Sequence, residues 1–176
     1  FLDVNEKCQL AKKYIEIEAY ARNNFPYLPI PKINEYGNNG LWYQEEYVAG
    51  VSPNRMEQGK GKDVLFNVVK CIHRMLKETK KETPIFTYVA ILQGKINNGL
   101  DSISYINANV KNDMQVIVST LISYLEEYSH KSINVAYCHG DFHQGNILSD
   151  EYNYWILDWE CGGYKQIGHD LLILLL

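Results

Sequence analysis

The sequence predicts a helix-rich α+β fold, and three features of the chain support this expectation. Two segments, 64–76 and 114–125, carry apolar residues at the three-to-four-residue spacing of a helix. Two short apolar runs, 135–138 and 154–157, are separated from the helices by loop-forming residues, as strands are. The 176 residues are 46% hydrophobic and 22% charged, which is typical of a globular protein and excludes global disorder.

The first part of the chain is expected to form one helix and one hairpin. Across 5–24, with Asn5 as a candidate N-cap, apolar residues recur at helical spacing (Leu10, Tyr14, Ile17 and Ala21). Three prolines between 26 and 31 then exclude helix and favour an extended connection. Strands are predicted at 32–36 and 41–48, joined by a Gly-Asn-Asn-Gly sequence whose residues tolerate positive φ.

The segment 49–53, Ala-Gly-Val-Ser-Pro, breaks the strand pattern and indicates a linker. We therefore expect a small N-terminal part, 1–50, and a larger, mostly helical part, 51–176. A helix at 85–96 is also predicted, with Gly99 marking a break. After Ser132 the short strands are expected to present loops, where functional side chains concentrate.

Net charge and cysteine usage exclude several classes of partner and site. Seventeen Lys and Arg against 21 Asp and Glu give a net charge of −4, which offers no electrostatic attraction to nucleic acid or an anionic membrane. The four cysteines form no Cys-x-x-Cys pair, so we expect reduced thiols in a cytoplasmic protein and no thiolate zinc site. The apolar tail 171–176 is far shorter than the ~20 residues of a transmembrane helix. Both ends are abrupt, and we expect the chain to be cut from a larger fold.

Candidate chemistry is concentrated in one loop and the residue that follows a later strand. The loop 139–146 holds Asp141 and Asn146, and Asp158 comes directly after the apolar run 154–157. Carboxylate and amide oxygens are hard ligands, suited to Mg²⁺ that is also bound by substrate phosphates. Two carboxylates close together repel each other unless a cation lies between them, which favours a metal. The alternative is that these residues only form turns, which Asp and Asn favour.

These residues form a combination that resembles a known family. His-Gly-Asp-x-x-x-x-Asn at 139–146, Asp-Trp-Glu at 158–160 and Gly-His-Asp-Leu-Leu at 168–172 are similar to the motifs of the aminoglycoside phosphotransferase and choline kinase-like group. The resemblance implies a protein-kinase-like fold, with 1–50 as a partial N-lobe and 51–176 as a truncated C-lobe. It also implies an enzyme that uses ATP and Mg²⁺ to phosphorylate a hydroxyl of a small molecule of the aminoglycoside, choline or sugar type.

The resemblance assigns roles within the motifs. It makes Asp141 the catalytic base that accepts the proton of the substrate hydroxyl, and Asn146 and Asp158 the residues that hold Mg²⁺ on the ATP phosphates. Asp170 resembles the buried aspartate that orients the catalytic loop, although a simple helix N-cap is the alternative. His139 is expected to be a packed, hydrogen-bonded residue rather than half of a metal pair with His143, which would lie near the phosphates.

Earlier segments of the chain are also similar to parts of the family fold. Glu16 resembles the helix carboxylate that pairs with the phosphate-binding lysine, and Glu18 takes that role if the register is shifted. The backbone of the segment at the interlobe hinge would contact adenine (Glu46, Tyr47 and Val48).

The chain also departs from the family pattern. The Gly-rich loop and the phosphate-binding lysine should precede the first helix, where this chain offers Asp3 in place of a lysine. Lys7 remains a candidate, whereas Lys12 and Lys13 are expected on the helix that carries Glu16 and cannot take that role. The substrate-binding helices should follow Asp170. The resemblance therefore implies little or no kinase activity for the 176-residue chain alone, and leaves a non-catalytic binding or scaffold module as the alternative. A metal-dependent phosphoesterase, suggested by Gly-Asp-x-His at 140–143, would need more ligands than the five histidines supply.

Overall fold

A computed structural model describes residues 4–37, 42–102, 107–150 and 152–176. The described chain contains α1 (Val4–Asn24), α2 (Gln58–Thr79), α3 (Ile85–Ser102), α4 (Ala108–Glu126) and α5 (His169–Leu175). Its strands are β1 (Ile33–Tyr36), β2 (Tyr43–Glu45), β3 (Lys81–Pro84), β4 (Ser132–Cys138), β5 (Ile147–Ser149), β6 (Tyr154–Ile156) and β7 (Gly163–Gln166). Single-turn 3₁₀ helices occur at Pro53–Arg55, Gln144–Asn146 and Trp159–Cys161. This is the mixed α+β architecture that the sequence predicts.

The first predicted helix is confirmed, but Asn5 is not its N-cap, because α1 already includes Val4. Both hairpin strands are present and are shorter than predicted. α1 buries Ala21 completely, and the proline-rich segment after it is tied to β6 because Ile156 donates a backbone hydrogen bond of 2.9 Å to the carbonyl of Pro29. β1 and β2 pair antiparallel, with Tyr36 opposite Tyr43. The predicted turn between them, 37–40, falls mostly on positions outside the described residues.

The core lies beneath the loop that carries the candidate chemistry. The predicted apolar stripe of α2 packs into it through Val68, Ile72 and Met75, which are completely buried. β5 and β6 form an antiparallel pair in which Ile147 lies opposite Ile156, and both side chains are completely buried in the same cluster. Each such side chain contributes about 1.5–3 kcal/mol when it is removed from water. Because the core holds both strands, the chain segments just before β5 and just after β6 are held close together.

The chain divides into two compact units. One contains the chain up to residue 80 together with 136–176, and the other contains 81–135. All the candidate site residues belong to the first unit. The predicted boundary between residues 50 and 51 lies within this first unit. The division into a partial N-lobe, 1–50, and a truncated C-lobe, 51–176, stays a prediction.

The unit 81–135 is built from β3, part of β4, α3 and α4. β3 pairs antiparallel with β4, with Lys81 opposite Val135 and Pro84 opposite Ser132. The expected break at Gly99 is wrong, because α3 continues through this residue to Ser102. No side chain described in α4 is buried, and several large apolar ones are exposed (Ile117, Leu121 and Tyr124).

None of the described helices combines the length and the apolar character needed to cross a membrane.

Candidate active site

The candidate catalytic loop begins directly after β4, and its second residue has to be glycine. Gly140 has a φ of 91°, which L side chains rarely adopt. A Cβ at this position would lie 2.1 Å from the carbonyl oxygen of Cys161. The loop backbone can therefore approach the turn Trp159–Cys161 only because no side chain stands between them.

Asp170 fixes the start of this loop from the first turn of α5. Its side chain is completely buried. Oδ2 accepts a hydrogen bond of 2.7 Å from the amide of His139, and Oδ1 accepts one of 2.8 Å from the amide of Gly140. Gly168, not Asp170, occupies the N-cap of α5. Asp170 therefore holds the start of the loop, and its role in orienting a catalytic loop stays a prediction.

His139 is a buried, neutral packing residue. Its ring is completely buried against Trp159 and Phe142, with ring centroids 4.6 Å and 5.9 Å away. Nε2 lies 2.6 Å from the carbonyl oxygen of Leu157, and Nδ1 accepts a 3.3 Å bond from the amide of Asp141. Nε2 therefore carries the proton, and burial lowers the pKa of the ring below its usual value. Because protein groups occupy both nitrogens, His139 cannot form a metal pair with His143.

Asn146, at the end of the loop, is hydrogen-bonded to Asp141 near its start. The amide side chain is buried, and its Nδ2 donates a 2.9 Å hydrogen bond to the carbonyl of Asp141 and lies 3.5 Å from Asp141 Oδ2. Its Oδ1 has no hydrogen-bond partner among the described residues. The side chain of Asp141 is half exposed. Asn146 thus offers an acceptor oxygen, and Asp141 offers a carboxylate that a solvent-borne molecule can reach.

Asp158 lies next to this pair through the backbone. The amide of the preceding residue, Leu157, donates a 2.9 Å bond to the carbonyl of Asn146. Asp158 has a φ of 56° and a ψ of 59°, and is the only non-glycine residue in the described chain with positive φ. This left-handed conformation costs about 1–2 kcal/mol for an L-residue, and such strain persists where the surrounding structure enforces it. Asp158 occupies the N-cap position of the 3₁₀ turn Trp159–Cys161, but its exposed carboxylate makes no capping hydrogen bond.

These donor groups fit a hard divalent cation that other ligands complete. In the part of the chain that the structure describes, no three His, Cys, Asp or Glu side chains gather closely enough to hold a metal alone. The oxygen of Asn146 and the carboxylate of Asp158 supply a partial set of oxygen ligands. Mg²⁺ is commonly held by one or two protein oxygens together with substrate phosphates and water, which is the arrangement that this partial set allows.

Of the two candidate glutamates on α1, the structure brings Glu18 to the site and leaves Glu16 exposed. Glu18 is 6% exposed and lines a small cavity of about 10 Å³ together with Asp158 and Glu45. Burial, followed by the hydrogen bond and the charge of Glu45, raises the pKa of Glu18 to about 8. Arg22 opposes this shift, since its Nη2 lies 3.4 Å from Glu18 Oε1. Glu18, the alternative to Glu16, is therefore the glutamate of α1 that lies next to Asp158.

The predicted adenine-binding segment is only partly free to bind. The amide of Glu46 donates a 2.7 Å hydrogen bond to the carbonyl of Lys32, so it extends the β1–β2 pairing. The backbones of Tyr47 and Val48 make no hydrogen bond with other described residues. The side chain of Tyr47 is 89% exposed. Two of the three predicted residues thus keep free backbone groups.

Sequence reasoning placed His143 in the loop but did not predict the hydrogen bonds by which His143 and Ser52 hold it. Nδ1 of His143 accepts a 2.9 Å bond from the amide of Gly145 and caps the 3₁₀ turn before Asn146. Ser52 Oγ donates a 2.5 Å bond to the carbonyl of Gln144. The signal for His143 was its position three residues before Asn146, whereas nothing in the sequence pairs Ser52 with a residue 92 positions later.

A second cavity, of about 870 Å³, lies elsewhere. It is lined by the linker after β2, the start of α2 and the β5–β6 turn, including Met56, Asp63 and Tyr154. None of the candidate site residues lines it.

Comparison with known proteins agrees with the motifs. A family model described as the phosphotransferase enzyme family matches residues 11–176, a range that includes every candidate site residue. The chain belongs to this family. No curated protein matches the sequence closely enough to add to this assignment.

A solved structure shows the fold of this phosphotransferase family member. A thermostable mutant of aminoglycoside phosphotransferase APH(4)-Ia, without ligand, matches with a TM-score of 0.58 and 16% identity, over 88% of this chain and 58% of that chain. A glucosamine kinase matches with a TM-score of 0.47 and 9% identity, over 91% of this chain and 47% of that one. The first match confirms the predicted α+β, protein-kinase-like fold. The present chain spans about half the length of these relatives.

Proposed function

We propose that the protein to which this chain belongs transfers the γ-phosphoryl group of Mg·ATP to a hydroxyl of a small molecule. The observation that carries this proposal is the joining of Asp141, Asn146 and Asp158 around one loop, which buried Asp170 holds in place. Membership of the phosphotransferase family supports the reaction class. The acceptor and the use of ATP and Mg²⁺ are part of the proposal.

Asp141 is the proposed base. Its half-exposed carboxylate can meet the acceptor hydroxyl, whereas buried Asn146 beside it cannot accept a proton. The carboxylate takes the proton of the hydroxyl as the oxygen–phosphorus bond forms and the bond from phosphorus to ADP breaks. General-base help of this kind contributes about 10²–10⁴ in rate.

Asn146 Oδ1 and the carboxylate of Asp158 are the proposed Mg²⁺ ligands. When bound, the ion would neutralise charge on the phosphates, which is the main requirement of phosphoryl transfer. Asp158 has a left-handed backbone and an exposed carboxylate, and Asn146 is fixed by its bond to Asp141. The residues therefore divide into a proton acceptor and two oxygen ligands.

Glu18 is the proposed partner of the phosphate-binding lysine, with Glu46, Tyr47 and Val48 as the adenine contacts. Burial and the carboxyl of Glu45 leave Glu18 with a raised pKa of about 8, and Arg22 is the one cation among the groups that shift it. A lysine ammonium beside Glu18 would lower this pKa. The cavity between Glu18 and Asp158 is thus suited to a cationic side chain from outside the described chain.

An acceptor screen tests the proposed function. The longer protein would be incubated with ATP and Mg²⁺ and with an aminoglycoside, choline, glucosamine or another sugar, and ADP formation would be followed. We expect transfer to at least one acceptor, abolished by removing Mg²⁺ and strongly reduced by Asp141→Asn. The 176-residue chain, assayed in parallel, is expected to show little or no activity. Mg²⁺-independent ADP formation, or full activity of Asp141→Asn, would contradict the proposal.

A non-catalytic binding module is the second candidate, and the carboxyl pair of Glu18 and Glu45 favours it. No lysine contributes to the pKa of Glu18 within the described part of the chain. Such a module would bind nucleotide or a small molecule without transferring phosphate to any acceptor in the screen. The metal-dependent phosphoesterase has no such support, because no three His, Cys, Asp or Glu side chains gather to hold a metal in the part of the chain that the structure describes.

A further inference from the structure

The two carboxylate oxygens of Asp141 have different surroundings. Asn146 Nδ2 lies 3.5 Å from Oδ2, and His143 Nε2 lies 3.7 Å from the same oxygen. Oδ1 has no hydrogen-bond partner among the described residues. Two nitrogen groups therefore converge on one oxygen and leave the other available.

The ring of His143 is oriented by the turn that follows it. The amide of Gly145 donates a 2.9 Å hydrogen bond to Nδ1. Because Nδ1 accepts, the neutral ring carries its proton on Nε2, which is the nitrogen that faces Asp141. A Cβ at Gly145 would lie 2.7 Å from Cε1 and 2.9 Å from Nδ1 of the ring, so this glycine leaves the space that the ring fills.

We propose that His143 is a positioning residue for the catalytic base: its Nε2–H holds Oδ2 of Asp141, so that Oδ1 is the atom that receives the acceptor's proton. This inference rests on the proposed function. The separation of 3.7 Å is longer than a hydrogen bond. Contacts of this kind are often long in the free enzyme and shorten when substrate is bound. In the step itself, the proton moves from the hydroxyl to Oδ1, while the hydroxyl oxygen bonds to phosphorus and ADP departs with the electron pair.

Two substitutions of His143 separate positioning from a purely structural role. Gln can accept from Gly145 with Oε1 and donate to Asp141 with Nε2, whereas Ala can do neither. We expect His143→Ala to lower kcat by about 10-fold, which is the lower end of the loss seen when a group that orients a functional ligand is removed. The KM for ATP should change by less than about twofold. We expect His143→Gln to recover most of the rate. His73→Ala, on the exposed face of α2, is the matched control and should retain the wild-type rate.

These kinetics use the longer protein with Mg·ATP and whichever of an aminoglycoside, choline and glucosamine is phosphorylated fastest. An unchanged kcat in His143→Ala would overturn the inference and leave the proposed function intact. The same holds if His143→Gln is as slow as His143→Ala while both variants unfold at the wild-type temperature. Failure of the wild-type protein to phosphorylate any of the three would instead overturn the proposed function, and with it this inference.

A spectroscopic test examines the ring independently of activity. In protein labelled with ¹⁵N-histidine, the resonances of His143 are those lost in His143→Gln. We expect the tautomer with the proton on Nε2, and we expect Asp141→Asn to shift the Nε2 resonance more than the resonances of the other histidines. A proton on Nδ1, or an Nε2 resonance that does not respond to Asp141→Asn, would overturn the proposed contact.

Discussion

Replacing Asp170 with asparagine tests whether this buried carboxylate holds the catalytic loop in place. Asp170 is completely buried and accepts hydrogen bonds from the amides of His139 and Gly140 through its two oxygens. The carboxamide of Asn can accept from only one of them, and its NH₂ group would face the other amide N–H. A hydrogen bond to a charged group is worth about 1.5–3 kcal/mol, and a buried amide without a partner costs about 1–3 kcal/mol.

We therefore expect Asp170→Asn to lower the free energy of unfolding by about 2–4 kcal/mol, a large part of the ~5–15 kcal/mol of a typical domain. Asp170→Ala should cost more, because it leaves both amides unpaired. Urea unfolding followed by tryptophan fluorescence measures the loss, since Trp159 is buried beside the loop. Asp63→Asn, at an exposed position of α2, is the matched control and should change stability by less than about 0.5 kcal/mol. Equal urea midpoints for Asp170→Asn and Asp63→Asn would refute the argument.

Two further predictions follow from backbone geometry and from charge burial. Gly140→Ala places a Cβ 2.1 Å from the carbonyl of Cys161 at a φ of 91°, so we expect a loss of at least about 2 kcal/mol in thermal or urea unfolding. Gly59→Ala on α2, where nothing lies within 4 Å, should instead gain about 0.5–1 kcal/mol; equal effects would contradict the steric argument. Because the pKa of Glu18 is raised from 4.5 to about 8, its contribution to stability is fully present below about 4.5 and is lost as the pH rises through 8. The free energy of unfolding, measured between pH 5 and 9, should therefore fall less steeply with pH in Glu18→Gln than in wild type. Glu16→Gln is the control and should keep the wild-type slope. Identical slopes in all three proteins would show that Glu18 is not protonated in the fold.

The helices were predictable where apolar residues repeat, and the elements without such a signal were missed. α1, α2 and α4 follow from their spacing alone. β3 was missed because its sequence, Lys-Glu-Thr-Pro, has no apolar alternation and forms a strand only by pairing with β4. The break expected at Gly99 failed because a glycine inside a helix costs only about 1 kcal/mol, which the rest of α3 outweighs.

The candidate site residues come from motif spacing, but their geometry was not predictable from the sequence. The pattern gave Asp141, Asn146 and Asp158, and their roles stay predictions. It could not show the left-handed backbone at Asp158, because that conformation depends on packing around the turn that follows. Glu18 could have been preferred over Glu16 from the helix period, since it lies four residues after Tyr14 and so shares its face of α1. Charge on the helix obscured this signal.

The most direct test of the account measures Mg·ATP affinity and kcat for two aspartate variants of the longer protein across a Mg²⁺ titration. We predict that Asp141→Asn lowers kcat by about 10²–10⁴ and leaves Mg·ATP affinity unchanged, because a base acts on the acceptor hydroxyl in the transition state. Asp158→Asn should weaken Mg·ATP binding and recover in part at high Mg²⁺, since occupancy follows mass action. Asparagine tolerates the left-handed backbone at this position, so the loop should remain intact. Loss of nucleotide binding in Asp141→Asn, with binding retained in Asp158→Asn, would contradict the assignment of base and metal ligand.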